Sequence, residues 1–311
     1  MRIQKAMDVL QEFPVRKSGK QKQAFRDCVQ EYLESLGYCV TMETGSFHAV
    51  NVLAGNPETA KYLVTAHYDT CARMVVPNLI TPCNLLTFLA YQLFICLLLM
   101  VPTLAVAALV GYWLRSFFAG YWLWLILLFG SIGLMMFGPA NPSNANDNTS
   151  GVISVLEIAG SLPQNLRKDV CFVLFDLEEA GLIGSASYRK KHKKASDCQI
   201  VLNLDCVGEG DHICLFPTAQ LKKDQKKSKS FQRICGKNGK KEIVYRNQGF
   251  SIYPSDQAHF PYGVGICALN RSKLGLYLAR IHTKKDTILD VTNINILRAA
   301  LITMIGGTAM E

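Results

Sequence analysis

The chain has 311 residues and a mass of 34.5 kDa, with half of its residues apolar and 18% charged. That balance excludes a disordered chain, and the length allows one large or two modest domains with a substantial core. The formal net charge of +9 calls for an acidic partner to be considered, yet ten basic and two acidic residues fall between Lys222 and Arg246, so one stretch carries most of it.

The first 13 residues lack the apolar run of a signal peptide. Residues 21–36 place Phe25, Cys28, Tyr32, Leu33 and Leu36 on one helical face, and Gly37 follows as a stop. Residues 38–42, 49–53 and 62–66 then read as short strands separated by Gly, Asn and Pro. Between Arg73 and Asp147 the composition changes sharply, because Arg115 is the only charged residue there. Residues 85–104 and 117–137 are each about the 20 residues that a helix needs to cross a hydrocarbon core. Pro102 lies near the end of the first run, and Tyr112, Trp113, Tyr121, Trp122 and Trp124 crowd the connection as an interfacial belt does. A transmembrane helical hairpin is therefore expected over residues 85–138, with 1–84 and 139–311 forming one discontinuous domain; a pair of buried core helices is the bland alternative.

Beyond the hairpin, residues 151–162 read as a helix and 170–175, 200–204 and 265–269 as buried strands, so helices and strands alternate as in an α/β fold with a largely parallel or mixed sheet. The basic stretch, 222–241, is expected to be a loop or an exposed, helix-rich excursion. Eleven cysteines without a CxxC pair, several in apolar runs (Cys96, Cys171, Cys267), read as reduced, buried thiols in a cytosol-facing protein.

Chemistry concentrates where the strands end. The strand at 62–66 runs into His67, Tyr68 and Asp69; that at 170–175 into Asp176, Leu177, Glu178 and Glu179; that at 200–204 into Asp205. Asp147 precedes a helix, and His282 lies in a late loop. Imidazoles and carboxylates without cysteine suit zinc, cobalt or manganese. Two imidazoles and three carboxylates hold two ions when one carboxylate bridges, and the Glu178–Glu179 pair offers a ligand beside a proton acceptor. Asp69, two residues from His67, is placed to take the imidazole N–H that faces away from a metal. His48, His192, His212 and His259 lack such a context and read as surface or core histidines, with His259 kept as a pocket-lining candidate.

The strings AHYDT, NDNTSG, DLEEAGLIGS, NLDCVG and IHTKKDT, in that order, resemble the co-catalytic zinc aminopeptidase family, which also contains glutamate carboxypeptidase II, glutaminyl cyclases and the transferrin receptor ectodomain. The resemblance runs from about Phe13 to the end, outside the hairpin. It implies a three-layer α/β/α zinc-peptidase fold with a mixed, mostly parallel sheet, and two divalent ions, expected to be Zn2+. By the family pattern His67 and Asp205 belong to the metal set, Asp147 bridges, Glu179 and His282 are ligands, Glu178 is the base and Asp69 stands behind His67. Two departures stand out: the long insert between His67 and Asp147, and Gln257 in the Ser255–Asp256–Gln257 run, where a histidine is common.

The implied activity is that of a membrane-anchored aminopeptidase removing N-terminal residues from peptides. The alternatives are a glutaminyl cyclase, a carboxypeptidase with Arg271 or Arg280 as the cation for the substrate's C-terminus, and a non-enzymatic receptor-like scaffold. The expected partners are a peptide substrate, the bilayer through residues 85–138, and anionic lipid headgroups at the basic stretches, Arg189 to Lys194 included. Nucleic acid is not expected, because no aromatic residues interleave the lysines. An even crossing number puts 1–84 and 139–311 in one compartment, and the lack of a signal peptide, the unpaired cysteines and the basic N-terminal segment lead us to expect that compartment to be the cytoplasm, with only the turn at 112–121 across the membrane.

Overall fold

The protein is described by a computed structural model covering residues 5–74, 76–278 and 280–308. Helices α1 (Asp8–Glu12) and α2 (Gly19–Ser35) come first. α2 starts two residues before the sequence pattern does, because Ser18 and Gln21 close a capping box in which each satisfies the other's backbone N–H. Strands β1 (Val40–Thr44), β2 (Val50–Ala54) and β3 (Tyr62–His67) precede the long helices α3 (Leu85–Trp113) and α4 (Phe117–Phe137). Then follow α5 (Gly151–Ser161), β4 (Val170–Phe175), α6 (Ile183–Lys191), α7 (Lys193–Ser196), β5 (Ile200–Leu204) and β6 (His212–Pro217). The last part holds α8 (Ala219–Lys223), α9 (Gln225–Arg233), β7 (Gly236–Asn238), β8 (Lys241–Tyr245), β9 (Tyr262–Ser272), β10 (Gly275–Tyr277) and α10 (Val291–Thr308).

One mixed sheet runs in the order β1-β2-β4-β3-β5-β9-β6-β8-β7, with β10 folded onto β9. Its centre, β4-β3-β5-β9, is parallel, and antiparallel pairings flank it. The central strands are apolar on both faces, as strands covered by helices must be. Alternation divides them: Val64, Ala66, Phe172 and Leu174 pack under α2, α5 and α10, while Leu63, Cys171, Val173 and Phe175 pack against Tyr188 of α6 and Phe260. The result is the expected α/β/α arrangement. The strands of the sequence reading all exist, with β1 and β2 shifted by one or two residues toward the C-terminus and β9 longer. The additional strands β6, β7, β8 and β10, and helix α10, carry weaker sequence signals.

α3 and α4 fold back on each other through a connection of three residues and are long and apolar enough to span a bilayer. At 1.5 Å per residue α4 is about 31 Å long, matching a hydrocarbon core of about 30 Å. α3 extends nine residues beyond the expected end, so Pro102 lies inside the helix. Asn84 and Ser116 cap the two N-termini by accepting from Thr87 and Ala119. The helices touch most closely where a Cβ on Gly111 would lie 3.0 Å from Gly120 Cα, the kind of approach only small residues allow. Their apolar side chains are otherwise outward; Leu86, Leu109, Phe129 and Leu134 are each at least 65% exposed. Burial inside the protein, the bland reading of these helices, is therefore not what the fold provides.

The eleven cysteines are all thiols, but not all are buried: Cys96 is exposed on α3, as are Cys39 and Cys198 elsewhere. The basic stretch is helical, as α8 and α9, before it enters the sheet. Lys226, Lys227, Lys229 and Arg233 join Lys61 and Lys194 around a cleft of about 1270 Å³ at the starting ends of β3 and β5. The hairpin leaves from the finishing end of β3. The cleft thus lies at the opposite strand ends from those where the hairpin departs.

Candidate metal centre

His67 is the last residue of β3, Glu178 and Glu179 follow β4, and Asp205 follows β5. Parallel register brings these three strand ends together: His67 pairs with Phe175, and Thr65 with Asn203. The turn Ala145–Ser150 supplies Asp147 at the head of α5. This turn lies so close to β5 that a Cβ on Gly151 would sit 2.2 Å from Leu204 O, which is why the NDNTSG string ends in glycine. Gly184 of the DLEEAGLIGS string is under the same constraint, 2.2 Å from Asp176 O. His282 enters from the loop after β10 with φ +62°, and Leu177 and Cys206 beside the site also have positive φ. Such conformations are uncommon for residues with a Cβ and tend to gather at functional sites.

All seven residues singled out by sequence meet here. Asp147 lies between the two imidazoles, with Oδ1 3.3 Å from His67 Nε2 and Oδ2 3.1 Å from His282 Nε2. Asp205 stands 3.6 Å from His67 Nε2, Glu178 4.0 Å from the same atom, and Glu179 3.5 Å from His282 Nε2. Asp69 differs in detail from its expected role. Its Oδ1 is 3.5 Å from His67 Nδ1, too long for a hydrogen bond, and its two oxygens instead accept the backbone N–H groups of Glu178 and Glu179 at 3.1 and 3.2 Å. Asp69 thus fixes the turn that presents both glutamates.

Four residues were not assigned from sequence. Asp286 accepts the N–H groups of Asn146 and Asp147 at 2.8 and 3.0 Å, fixing the Asp147 turn. Its signal was in the string IHTKKDT, four residues after His282. Arg16, fully buried, donates to Phe13 O, Tyr68 O and Thr149 Oγ1, tying the chain after β3 to the same turn. Cys71 and Cys206 approach ligand atoms of the site, Cys71 beside Glu179 and His282, so the centre is not free of sulfur as the sequence reading had it.

Asp176, by contrast, points away and anchors Lys22 and the Val50 N–H. Gln257 is a buried polar plug between Asn203 and Tyr253 O. His259 bonds Ser185, His192 is held between Glu43 and Glu58, and His212 bonds Glu242, so these three are satisfied elsewhere.

The electrostatics of the cluster suit cations. Burial pushes the Glu179 carboxyl up to about 8, against the pull of His282, and Glu178 well above the carboxylate range. His282, despite burial, is raised to about 9 by Glu179 and Asp147, and His67 is raised as well by Glu178, Asp147 and Asp205. Burial likewise raises Asp256, beside Glu178, to about 7. Buried like charges without enough counter-charge hold protons instead, and divalent ions would replace those protons. Glu179 Oε1 is buried with no hydrogen-bond partner. His67, Asp147 and Glu179 form one donor set of metal-binding dimensions, and His67, Glu178 and Asp205 another. The residues present fit zinc.

A cavity of about 300 Å³ opens onto the cluster, walled by Asp147, Glu178, Glu179, Asp205 and His282 and by apolar residues such as Ile80, Leu182 and Ile281. Among the described residues no Lys or Arg lines it; Arg280 is paired with Glu209 at 3.1 Å, and Arg271 is exposed on β9.

No curated protein matches the chain. Solved structures share its fold at low identity. A glutaminyl cyclase from Porphyromonas gingivalis matches with a TM-score of 0.61 and 18% identity over 98% of this chain and 97% of that one. The LapA aminopeptidase of Legionella pneumophila matches with a TM-score of 0.59 and 13% identity over 98% and 71%. A Zn-dependent exopeptidase from Parabacteroides distasonis matches with a TM-score of 0.58 and 14% identity over 94% and 92%. The sequence pattern of peptidase family M28 matches residues 131–304, more than half of the chain. With this match, the fold and a donor cluster that suits zinc, the chain belongs to peptidase family M28, as a metal-dependent hydrolase.

Proposed function

We propose that the protein is a membrane-anchored, two-zinc aminopeptidase. The observation that carries this reading is the position of Asp147, one oxygen toward His67 and the other toward His282. A carboxylate so placed divides the cluster into two donor sets that share it: His67, Asp205 and Asp147 on one side, His282, Glu179 and Asp147 on the other. Two zinc ions held there would polarise the scissile carbonyl and lower the pKa of water. The chain's own residues do the rest. Glu178 lines the cavity 4.0 Å from His67 Nε2; with Asp147 and Asp205 taken as the ligands beside His67, Glu178 is left to accept the proton of the attacking water and deliver it to the leaving nitrogen, the role the family resemblance implies. Asp69 and Asp286 hold the glutamate turn and the Asp147 turn still while this happens.

Specificity for the amino end rests on the cavity wall. A carboxypeptidase needs a fixed cation for the substrate's C-terminus, and none of the described residues lining the cavity supplies one; its acidic wall suits a free amine. The cyclase reading draws support from the shared fold and keeps Glu178 in the same role, but it needs only one ion. The test is Glu178→Gln with metal analysis on the same sample. We expect about two zinc equivalents to be retained and turnover on an aminoacyl amide to fall by about 10² to 10⁴. One equivalent, with cyclisation of an N-terminal glutaminyl peptide, would give the cyclase instead.

The hairpin, residues 85–138, is read as the membrane anchor of a catalytic domain built from 1–84 and 139–311. Two crossings leave both parts in one compartment. Eleven unpaired thiols support the cytoplasmic side. Protease added to sealed right-side-out vesicles should spare the catalytic domain; its digestion would reverse the orientation.

A further inference from the structure

The hairpin does more than leave the domain near the metal centre. Met136, one residue before the end of α4, lines the catalytic cavity together with Asn78 and Ile80 from the segment that leads into α3. Its neighbour Met135 faces a second hollow of about 200 Å³, formed with Leu134 and with Ile95, Leu98 and Leu99 of α3, and with Arg73 among its lining residues. Successive residues of one helix turn thus face the reaction cavity and the hollow between the two hairpin helices and the segment at Arg73.

The heights of the two features agree. If α4, at about 31 Å, spans the hydrocarbon core, its last turn marks the boundary of that core. α3 is eight residues longer, and its first turns overrun the boundary along the domain: Asn84 Nδ2 donates to Leu274 O at 3.0 Å and the Tyr91 hydroxyl to Pro77 O. The foot of the hairpin is held firmly. Lys17 Nζ donates to Met136 O at 3.0 Å, Arg73 N to Pro139 O at 2.8 Å, and Asn141 N to Cys71 O at 3.0 Å. The cavity therefore stands at the level of the bilayer surface, and its non-ligand wall includes Ile80, Met136, Leu182, Tyr253 and Ile281, with no basic side chain among the described residues.

We propose that the preferred substrates are peptides already anchored in the bilayer, with an uncharged, apolar N-terminal residue, and that they reach the metal centre laterally over Met135 and Met136. This deepens the aminopeptidase reading and rests on it and on the hairpin spanning the membrane. Anchoring raises the substrate's local concentration at a cavity that the bilayer surface meets, whereas a soluble peptide has to find the same opening from water.

The test uses the full chain in phosphatidylcholine vesicles and two peptides with the same apolar N-terminal sequence, one carrying a C-terminal palmitoyl chain. We expect kcat/KM for the anchored peptide to exceed that of the soluble one at least tenfold, and Met135→Lys to cut that ratio severalfold. In parallel, Met136 is replaced by a photoreactive phenylalanine analogue; it should cross-link the N-terminal residues of the anchored peptide in preference to the soluble one. Equal kcat/KM for the two peptides, or equal cross-linking, overturns the lateral route while leaving the aminopeptidase reading in place. Preferential cross-linking without cleavage of either peptide supports the route and removes the aminopeptidase reading.

Discussion

The two ends of the central sheet carry opposite charge in opposite surroundings. At the finishing ends of β3, β4 and β5, Asp147, Asp205 and Asp256 are buried and Glu178 and Glu179 nearly so, around two imidazoles. At the starting ends of β3 and β5, lysines and an arginine line an open cleft. Like charges in water cost little, because solvent screens them, whereas like charges out of water demand counter-ions or protons. The larger formal charge of this chain is basic, yet burial makes the acidic end the informative one. A composition count sees the lysines first and the chemistry last.

The contrast can be broken most directly at Asp147. Asp147→Asn removes the shared charge, and we expect zinc content to fall from about two equivalents to less than one and aminopeptidase turnover to fall below about 1% of wild type; a variant that keeps both ions would dissolve the two-set reading. The next test removes the ions. In metal-free protein His282 is raised from 6.5 to about 9 and Glu179 from 4.5 to about 8. The folded state then binds protons that the unfolded chain has released, a stabilisation complete at low pH and lost as pH rises through these values. Thermal melting of the metal-free protein should therefore drop from about pH 4.5 to 9, most steeply between 6.5 and 8 where both groups act. Zinc should flatten that slope and add about 2.7 kcal/mol at a free concentration 100 times its Kd.

A smaller effect is expected at Asp69, which holds the glutamate turn from behind. Asp69→Asn keeps the size but weakens one acceptor, and zinc affinity or turnover should fall about 10- to 100-fold with the fold intact by circular dichroism. The smallest belongs to the other end of the sheet. Lys226→Ala with Lys229→Ala should change stability by no more than about 0.5 kcal/mol and leave turnover as it was. A large loss there would mean that the basic cleft serves the reaction, and the contrast between the two ends would fail.

Much of the site was legible because its residues sit in short strings, three of them directly after strands. Val170–Phe175 is apolar without interruption and Ile200–Leu204 is broken only by Asn203, so their ends are sharp, and the polar residue after each is conspicuous. β6 and β8 were missed since Cys214 and Pro217 break one pattern and Lys241 and Glu242 open the other; their place is decided by pairing with β9 and with each other. Asp286 was in view in its string, but a carboxylate that works by accepting two backbone N–H groups has no residue pattern of its own. Arg16 and Cys71 escaped for the same reason, since their partners lie far along the chain.

The apolar helices show where sequence suffices and where it does not. α5 and the hairpin are both strongly apolar, but Gly151–Ser161 has a sheet to cover and is buried almost throughout, while α3 and α4 extend beyond any surface that could cover them. Local sequence determined that these segments are helices, that the strands end in metal-binding residue types, and that 73 residues between Arg73 and Asp147 carry a single charge. Only the tertiary structure decided that one carboxylate stands between the two imidazoles, that the lysines lie at the far edge, and that a methionine of the hairpin lines the reaction cavity. Propensity and periodicity act over a few residues, whereas these placements depend on contacts between strand ends and loops that are tens to more than a hundred residues apart.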